Sequence, residues 1–448
     1  MTDLIIRLIK KIRRIKVQAI RKIKVQTTIA VQILFLLIAF ATHAQTEKQA
    51  IQANINILAS EAMHGRGYVM HGAEQASIFI QRRFREYKLK AVTNDGSFIQ
   101  GYSFPVNTFP GKMSLNVDGK ELVPGADFLI DAASVSYTCS DKQVKTIDLA
   151  TITGKGAWRK KLSSFNEQYV YCLEHVDSFC KFFGEQPSKF AATLPKGCYI
   201  LPQKNKLIWD VARDTIEATV FYVKKDVLPA EIKNVAVNVA SLFIRKERSE
   251  NVMACVPGTV KDTFIAITAH YDHLGMMGDA TIFPGASDNA SGTAMMIYLS
   301  SYFATHPQHY SILFIAFSGE EPGLLGSAFY AAHPVVPLAQ IKFLTNIDIM
   351  GDATDGVTVV NATEYPRQFE LLNKINDASH YIPVIKSRDK AANSDHYHFS
   401  EAGVPSFFFY SNGGKGFYHD VFDKGEETTL ANVDGVAKLL IDFIGSIN

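Results

Sequence analysis

Acidic and histidine side chains follow four apolar runs in the second half of this 448-residue chain. In order, they are His270 and Asp272, Glu320 and Glu321, Asp348, and finally His419, which Tyr418 precedes. A further acid, Asp288, opens the helical segment after the first run. The carboxyl ends of parallel strands meet at one edge of a sheet, and α/β proteins place their sites there. If the runs are parallel strands, these side chains therefore form one polar site.

Imidazole and carboxylate groups in this combination suit zinc, which binds such donors at about 2.0–2.2 Å. A carboxylate between two ions lowers their repulsion, and another that is not a ligand can take a proton from water. The adjacent Glu320 and Glu321 can divide these roles because consecutive side chains point in different directions. Taken singly, each residue has an ordinary structural explanation, such as a helix N-cap for Asp288. The joint placement at strand ends is what indicates a catalytic metal site.

Alternating strands and helices must position these residues. We predict strands at 264–269, 311–317, 343–347 and 406–410, and helices at 291–305, 324–333, 368–378 and 430–447. This alternation predicts an α/β fold with a mainly parallel, helix-flanked mixed sheet. Helical spacing at 46–61 and 73–89 adds two helices that would cover one face of the sheet.

Residues 104–239 are different in character, because short apolar runs alternate with turns and Asp118-Gly119 is typical of a tight hairpin. We interpret them as a β-rich insert in a catalytic domain formed by residues 45–103 and 240–448. Four of the five cysteines lie in the insert, and the absence of a CxxC pair argues against a cysteine zinc site. One or two disulfides and buried free thiols both remain open.

Residues 1–44 have the features of a cleaved export signal: a basic stretch, an apolar run at 29–41, and Thr42-His43-Ala44 before Gln45. The apolar run is shorter than the roughly 20 residues that span a bilayer. An uncleaved basic anchor on the membrane surface is the alternative. On the reading as a cleaved signal, we predict a periplasmic or extracellular protein without stable membrane association. Nine of the 46 Lys and Arg residues lie in this segment, and the acidic balance of the rest suggests no nucleic-acid partner.

The order of the motifs resembles the M28 family of co-catalytic zinc peptidases, which includes bacterial exported aminopeptidases and glutamate carboxypeptidase relatives. The motifs are His270-x-Asp272, Asp288-Asn289-Ala290-Ser291-Gly292, Gly319-Glu320-Glu321, Asn346-x-Asp348-x-x-Gly351, Ser394-Asp395-His396 and Tyr418-His419. The resemblance is strong over 251–448 and weak over 51–103, where it depends on segments 58–61 and 64–67. In relatives, a protease-associated domain often occupies the position of the insert.

The resemblance implies a peptidase, most simply an aminopeptidase acting on peptides, with two zinc ions per chain. His270, Asp288 and Asp348 would bind one zinc, and Asp288, Glu321 and His419 would bind the other. Glu320 would be the general base for a water shared by the two ions. Asp272 would orient His270, and Tyr418 would stabilise the oxyanion. The family scheme leaves His273 outside the ligand set and places Asp395 and His396 in the cleft lining.

Two residues depart from the family pattern, and three other functions remain open. Ser287 stands where many relatives have Asp or Asn, and Asp420 where many have Thr, but neither position is a ligand or the base. The alternatives are a single-zinc glutaminyl cyclase, a carboxypeptidase-type relative, and a non-catalytic binding module. A carboxypeptidase would need a basic residue near the substrate carboxylate, for which Arg388 and Lys415 are candidates.

Overall fold

The structure, a computed structural model, describes residues 46–447, and the predicted export signal lies outside the described residues. Within that range no helix is long and apolar enough to cross a membrane. The helices are α1 Glu47–Leu58, α2 Gly72–Glu86, α3 Lys155–Leu162, α4 Val176–Phe183, α5 Gly292–Thr305, α6 Leu325–Ala332, α7 Pro366–Ser379, α8 His396–Glu401 and α9 Val433–Ser446.

Strands of the described residues form two large sheets and one short hairpin. The strands are β1 Ile99–Thr108, β2 Ser114–Val117, β3 Lys120–Leu122, β4 Phe128–Ile130, β5 Tyr137–Asp148, β6 Val170–Glu174, β7 Gly197–Gln203, β8 Ala218–Lys224, β9 Asn234–Val239, β10 Leu242–Val256, β11 Val260–His270, β12 Gly275–Met277, β13 Thr281–Phe283, β14 Tyr310–Phe317, β15 Ile341–Ile347, β16 Val357–Val360, β17 Ile385–Arg388 and β18 Ser406–Ser411.

The sheet that carries the predicted site has the order β1-β10-β14-β11-β15-β18-β16-β17. Its four central strands, β14, β11, β15 and β18, are parallel, and they contain the four strands predicted from the sequence. β1, β10 and β16 run antiparallel to neighbouring strands. The predicted α/β class with a mainly parallel, mixed sheet is confirmed.

Helices cover both faces of this sheet because side chains of the central strands alternate between two cores. Ile265 and Ile267 of β11 pack on the side of α1, α2, α5 and α9, whereas Ala266 between them packs on the side of Tyr330 in α6 and Phe399 in α8. A one-residue slip of β11 would exchange these faces. The two cores thus fix the register that brings His270 to the end of the strand.

The insert forms a second sheet with the order β3-β2-β9-β5-β6-β7-β8-β4. β2 and β3 form the predicted hairpin, in which Leu115 pairs with Leu122. β5 to β8 are parallel, and α3 and α4 pack on them through Trp158 and Phe179. The sequence predicted strands and turns in the insert, but not these two helices. All five cysteines are free thiols.

Candidate metal centre

The ends of the central strands bring the predicted ligands together in the protein interior. His270 is the last residue of β11 and pairs with Phe317, the last residue of β14. Glu320 and Glu321 follow β14 in a turn, and Asp348 comes directly after β15. The remaining two ligands, Asp288 and His419, come from the segment before α5 and the loop after β18. All five predicted metal ligands therefore lie at one edge of the sheet, His270 at the end of a strand and the other four in the segments that follow or precede the elements there.

Asp288 lies between the two histidines and directs a different oxygen to each. Its Oδ1 is 3.4 Å from Nε2 of His270, and its Oδ2 is 3.1 Å from Nε2 of His419. Nε2 of His270 is also 3.3 Å from Oδ1 of Asp348. Nε2 of His419 is 3.1 Å from Oε2 of Glu321. The carboxylate of Asp288 thus joins two groups, each containing one imidazole and one further carboxylate.

The chemistry of these groups fits zinc. Oδ1 of Asp348 is buried without a hydrogen-bond partner among the described residues, although unpaired buried carboxylate atoms are costly. Burial alone would lower the pKa of His419, but the charges of Glu321 and Asp288 raise it to about 12. Burial alone would raise the pKa of Glu321, but His419 lowers it to about 2. Buried carboxylates therefore surround the imidazole nitrogen atoms. A metal cation would bind these nitrogen atoms in place of the protons and would balance the negative charge.

The Nδ1 atoms of both ligand histidines contact backbone carbonyl oxygens. Nδ1 of His419 donates to the carbonyl oxygen of Trp209 at 2.9 Å, and the amide of Trp209 donates back to the carbonyl oxygen of His419 at 3.0 Å. Nδ1 of His270 lies 3.3 Å from the carbonyl oxygen of Asp272. A proton on Nδ1 leaves Nε2 available as a ligand. Trp209 belongs to the insert, for which the sequence indicated no role at the site.

Asp272 connects His270 to the predicted base in a way that spacing did not reveal. Its carboxylate is 3.8 Å from Nδ1 of His270, farther than its own backbone oxygen. The carboxylate instead accepts hydrogen bonds from the Tyr68 hydroxyl at 3.0 Å and the Glu320 amide at 3.2 Å. Asp272 therefore anchors the turn that carries Glu320, and its carboxylate also lies near the ring of His270.

Glu320 lies beside the first group, where its carboxyl and the donor atoms of His270 and Asp348 are within 4.8 Å of one another. Burial raises the pKa of Glu320 well above its usual range, and the charge of Glu321 raises it further. Such a carboxyl group can both accept and return a proton. The structure thus places the predicted base at the edge of the centre, adjacent to one ligand set.

Tyr418 is 41% exposed, and its ring stacks on that of His419 with centroids 3.9 Å apart. Burial raises the pKa of its hydroxyl, and the charges of Asp288 and Glu321 raise it further. The hydroxyl group therefore remains protonated and available as a donor beside the centre.

His273 has a closer connection to the centre than the family scheme implies. Its Nδ1 is 2.5 Å from Oε1 of Glu321, while the other oxygen of Glu321 faces His419. His273 therefore orients Glu321, and the donor atoms of His273, Asp288, Glu321 and His419 lie within 4.8 Å of one another.

In the motif at residues 394–396, the residue that contacts a predicted ligand is Ser394. Ser394 donates a hydrogen bond to Oδ2 of Asp348 at 2.9 Å and accepts one from Asn346 at 2.8 Å. Asp395 and His396 are fully buried; burial raises the pKa of Asp395 to about 7 and lowers that of His396 to about 4. Ser394 thus fixes the rotamer of Asp348.

Arg66, which the sequence analysis did not assign, fixes the backbone around Asp288. Its guanidinium group is fully buried and, among residues 46–447, donates hydrogen bonds only to backbone carbonyl oxygens. Its acceptors are Leu58 at 2.9 Å, Tyr271 at 2.8 Å, Pro284 at 2.7 Å, Gly285 at 2.7 Å and Asp288 at 3.3 Å. The planar fork of arginine makes such multiple bonding possible. The only signal in the sequence was the segment at 64–67, noted as part of the weak resemblance.

Asp423 holds the same loop from the other side. Its carboxylate accepts hydrogen bonds from the amides of Ser287 at 2.9 Å and Asp288 at 3.1 Å, and burial raises its pKa to about 6. Ser287, the first departure from the family pattern, thus contacts Asp423 through its backbone amide. The second departure, Asp420, forms an ion pair with Lys206 of the insert at 2.5 Å.

Comparisons with known proteins show what the chain is similar to. Residues 251–444 match the model of peptidase family M28. Aminopeptidase YwaD of Bacillus subtilis is 30% identical over 181 residues, or 36% of each chain. A probable zinc metalloprotease of Pyricularia oryzae is 35% identical over 119 residues, 26% of this chain and 24% of that protein. The chain thus spans about a third or less of the length of these curated relatives.

A solved zinc aminopeptidase of Bacillus subtilis has the same fold. It superposes with a TM-score of 0.63 and 18% identity, covering 88% of this chain and 94% of that one. The resemblance inferred from the motifs is confirmed by the match of residues 251–444 to the model of peptidase family M28.

Proposed function

We propose that this protein is an exported aminopeptidase whose site would hold two zinc ions, with Asp288 as a ligand of both. The observation that carries the proposal is the orientation of the two Asp288 oxygens toward His270 and His419, at 3.4 and 3.1 Å. His270 and Asp348 would complete one site, and Glu321 and His419 the other. The family match supports peptide hydrolysis, and the features of residues 1–44 support export.

Bound zinc would polarise the scissile carbonyl and lower the pKa of a water molecule. Glu320 takes the proton of the attacking water and delivers it to the leaving amine, a role that fits its raised pKa. The Tyr418 hydroxyl donates a hydrogen bond to the oxyanion that develops during the attack. Ser394, His273 and the carbonyl oxygen of Trp209 hold Asp348, Glu321 and His419 in place during these steps.

A cavity of about 180 Å³ beside the centre is a place for the substrate side chain. Its lining includes Ile349, directly after the ligand Asp348, and Tyr418, directly before the ligand His419. The Gly-rich loop at 413–416 forms another wall. A cavity of this volume accommodates one amino-acid side chain rather than an extended peptide.

The positions of Lys415 and Arg388 favour an aminopeptidase over a carboxypeptidase-type relative. Lys415 lines the same cavity, but its ammonium group is paired with Glu427. Arg388 instead contacts the hydroxyl of Tyr410. The paired Lys415 leaves this cavity without an unpaired cation for a substrate carboxylate. The glutaminyl cyclase and non-catalytic alternatives are disfavoured because both ligand groups and the base are present.

A substrate panel with and without a zinc chelator tests this function. We expect the purified protein to hydrolyse leucine p-nitroanilide, to lose that activity in the chelator, and to regain it with added zinc. N-acetylated leucine p-nitroanilide should not be hydrolysed. Cleavage of blocked substrates alone would contradict an aminopeptidase, and cyclisation of N-terminal glutamine without hydrolysis would indicate the cyclase instead.

A further inference from the structure

His273 lies inside the metal centre, three residues after the predicted ligand His270. Its side chain is fully buried, and its ring meets that of His419 edge to face, with centroids 5.6 Å apart. Donor atoms of His273, Asp288, Glu321 and His419 all lie within 4.8 Å of one another. Within residues 46–447, this group therefore contains two imidazoles, whereas the group around His270 contains one.

The backbone around the ring of His273 keeps the ring in the centre. The His273 amide donates a hydrogen bond to the carbonyl oxygen of Arg66 at 3.2 Å. A Cβ atom at Gly285 would lie 2.3 Å from Cδ2 and 2.5 Å from Cγ of the ring, and Gly285 has a φ of +57°. A glycine is required there because any side chain would collide with the imidazole. The ring is thus packed against Gly285, with its Nδ1 directed at Glu321.

The two nitrogen atoms of the His273 ring have different surroundings. Nδ1 is 2.5 Å from Oε1 of Glu321, whereas Nε2 is buried without a hydrogen-bond partner among the described residues. In His270 and His419, by contrast, Nδ1 contacts a backbone carbonyl oxygen and Nε2 faces carboxylates. An imidazole binds a metal through one nitrogen and keeps its proton on the other. For His273, the nitrogen that faces the metal group is Nδ1.

We propose that His273 is a fourth protein ligand, through Nδ1, of the zinc ion that Asp288, Glu321 and His419 would hold. This proposal rests on the two-zinc centre of the proposed function. The contact between Nδ1 of His273 and Oε1 of Glu321 is then a contact between two ligands of one ion. The remaining proton of the ring lies on the buried Nε2.

A fourth donor would make the two zinc positions unequal. Structural zinc sites have four protein ligands, whereas catalytic sites have three and keep one position for water. With His273, the position beside His419 has four protein donors. The position beside His270 has three, from His270, Asp288 and Asp348, and the carboxyl group of Glu320 lies next to it. The open coordination position is therefore on the side of the predicted base.

Proton NMR of the protein loaded with two cobalt(II) ions tests the proposal without turnover. Cobalt(II) replaces zinc at sites of imidazole and carboxylate donors, and its unpaired electrons shift the N–H proton of each coordinated imidazole out of the normal spectral range. We expect three such solvent-exchangeable signals, from His270, His419 and His273. The His273 signal should exchange slowly with water because Nε2 is buried. Two signals would overturn the proposal, and this count needs no variant.

The variant His273→Asn separates coordination from orientation of Glu321. Its amide nitrogen can take the place of Nδ1 and donate to Glu321, but it is a poor zinc ligand. We expect two shifted signals, and competitive titration with a chelator should show one zinc affinity weakened by more than about 100-fold. A residue that only orients a ligand changes metal affinity by about 10- to 100-fold. A smaller loss, or a third signal that persists, would overturn the proposal.

The matched control is His309→Asn, because His309 is exposed and directly precedes β14, at the opposite end of that strand from the centre. It should keep three signals and both zinc affinities. Failure of the proposed function is seen separately. A protein that shows three signals but does not hydrolyse leucine p-nitroanilide would contradict the aminopeptidase and support the assignment of His273. An active enzyme with two signals would overturn the assignment alone.

Discussion

Replacement of Glu320 by Gln is expected to lower kcat for leucine p-nitroanilide by about 10²- to 10⁴-fold, the usual contribution of a general base. The amide retains the shape of the side chain but cannot take a proton from water. Glu320 is beside His270 and Asp348, and the carboxylate that we propose as a ligand of both zinc ions is that of Asp288. The zinc content of Glu320→Gln should therefore equal that of the wild type. Steady-state kinetics together with elemental analysis of the dialysed protein measures both quantities.

Glu426→Gln is the matched control for this experiment, because Glu426 is exposed on the loop after His419 and should retain full activity. A Glu320→Gln variant with wild-type kcat would remove Glu320 from the role of base. A variant that loses zinc together with activity would show that Glu320 is a ligand.

Arg66→Met is expected to lower the free energy of unfolding by about 3 kcal/mol or more, since it removes the partner of several buried acceptors at once. The five carbonyl oxygens that Arg66 contacts come from three separate segments, before 60, near 271 and at 284–288. Methionine fills much of the volume but donates no hydrogen bond. The loss should also weaken zinc binding, because the backbone of Asp288 is one of the acceptors. Urea denaturation and competitive zinc titration measure the two effects.

The control for Arg66→Met is Arg82→Met in helix α2, where the side chain is 62% exposed. A surface change of this kind usually alters stability by less than about 0.5 kcal/mol. If Arg66→Met unfolds at the same urea concentration as Arg82→Met and binds zinc equally well, Arg66 does not stabilise the backbone around Asp288.

The parts of the fold that sequence could predict are those with local signals. The central strands are continuous apolar runs, which is typical of parallel strands buried on both faces, and a polar residue follows each one. β10 has no such signal, because its first half is the charged stretch 245–250. It is a strand because it pairs along its length with β1, from Leu242 opposite Thr108 to Val252 opposite Ile99. Pairings between residues so far apart in the chain leave no local pattern.

The same distinction applies to the site. Candidate ligands and a candidate base could be named because their types and order are distinctive. The groups that orient them could not, since Trp209 acts through its backbone, and Asp423 is one acid among many in the sequence. Asp423 and Ser287 are 136 residues apart, and Trp209 and His419 are 210 residues apart. Only the folded chain shows which of these residues meet.

Anomalous diffraction at the zinc edge from crystals of the zinc-loaded protein tests the bridged two-metal centre most directly. We expect two peaks a few Å apart, one beside His270 and Asp348 and the other beside Glu321 and His419, with one oxygen of Asp288 directed at each. A single peak in the fully loaded protein, or two peaks without Asp288 between them, would contradict the bridged centre.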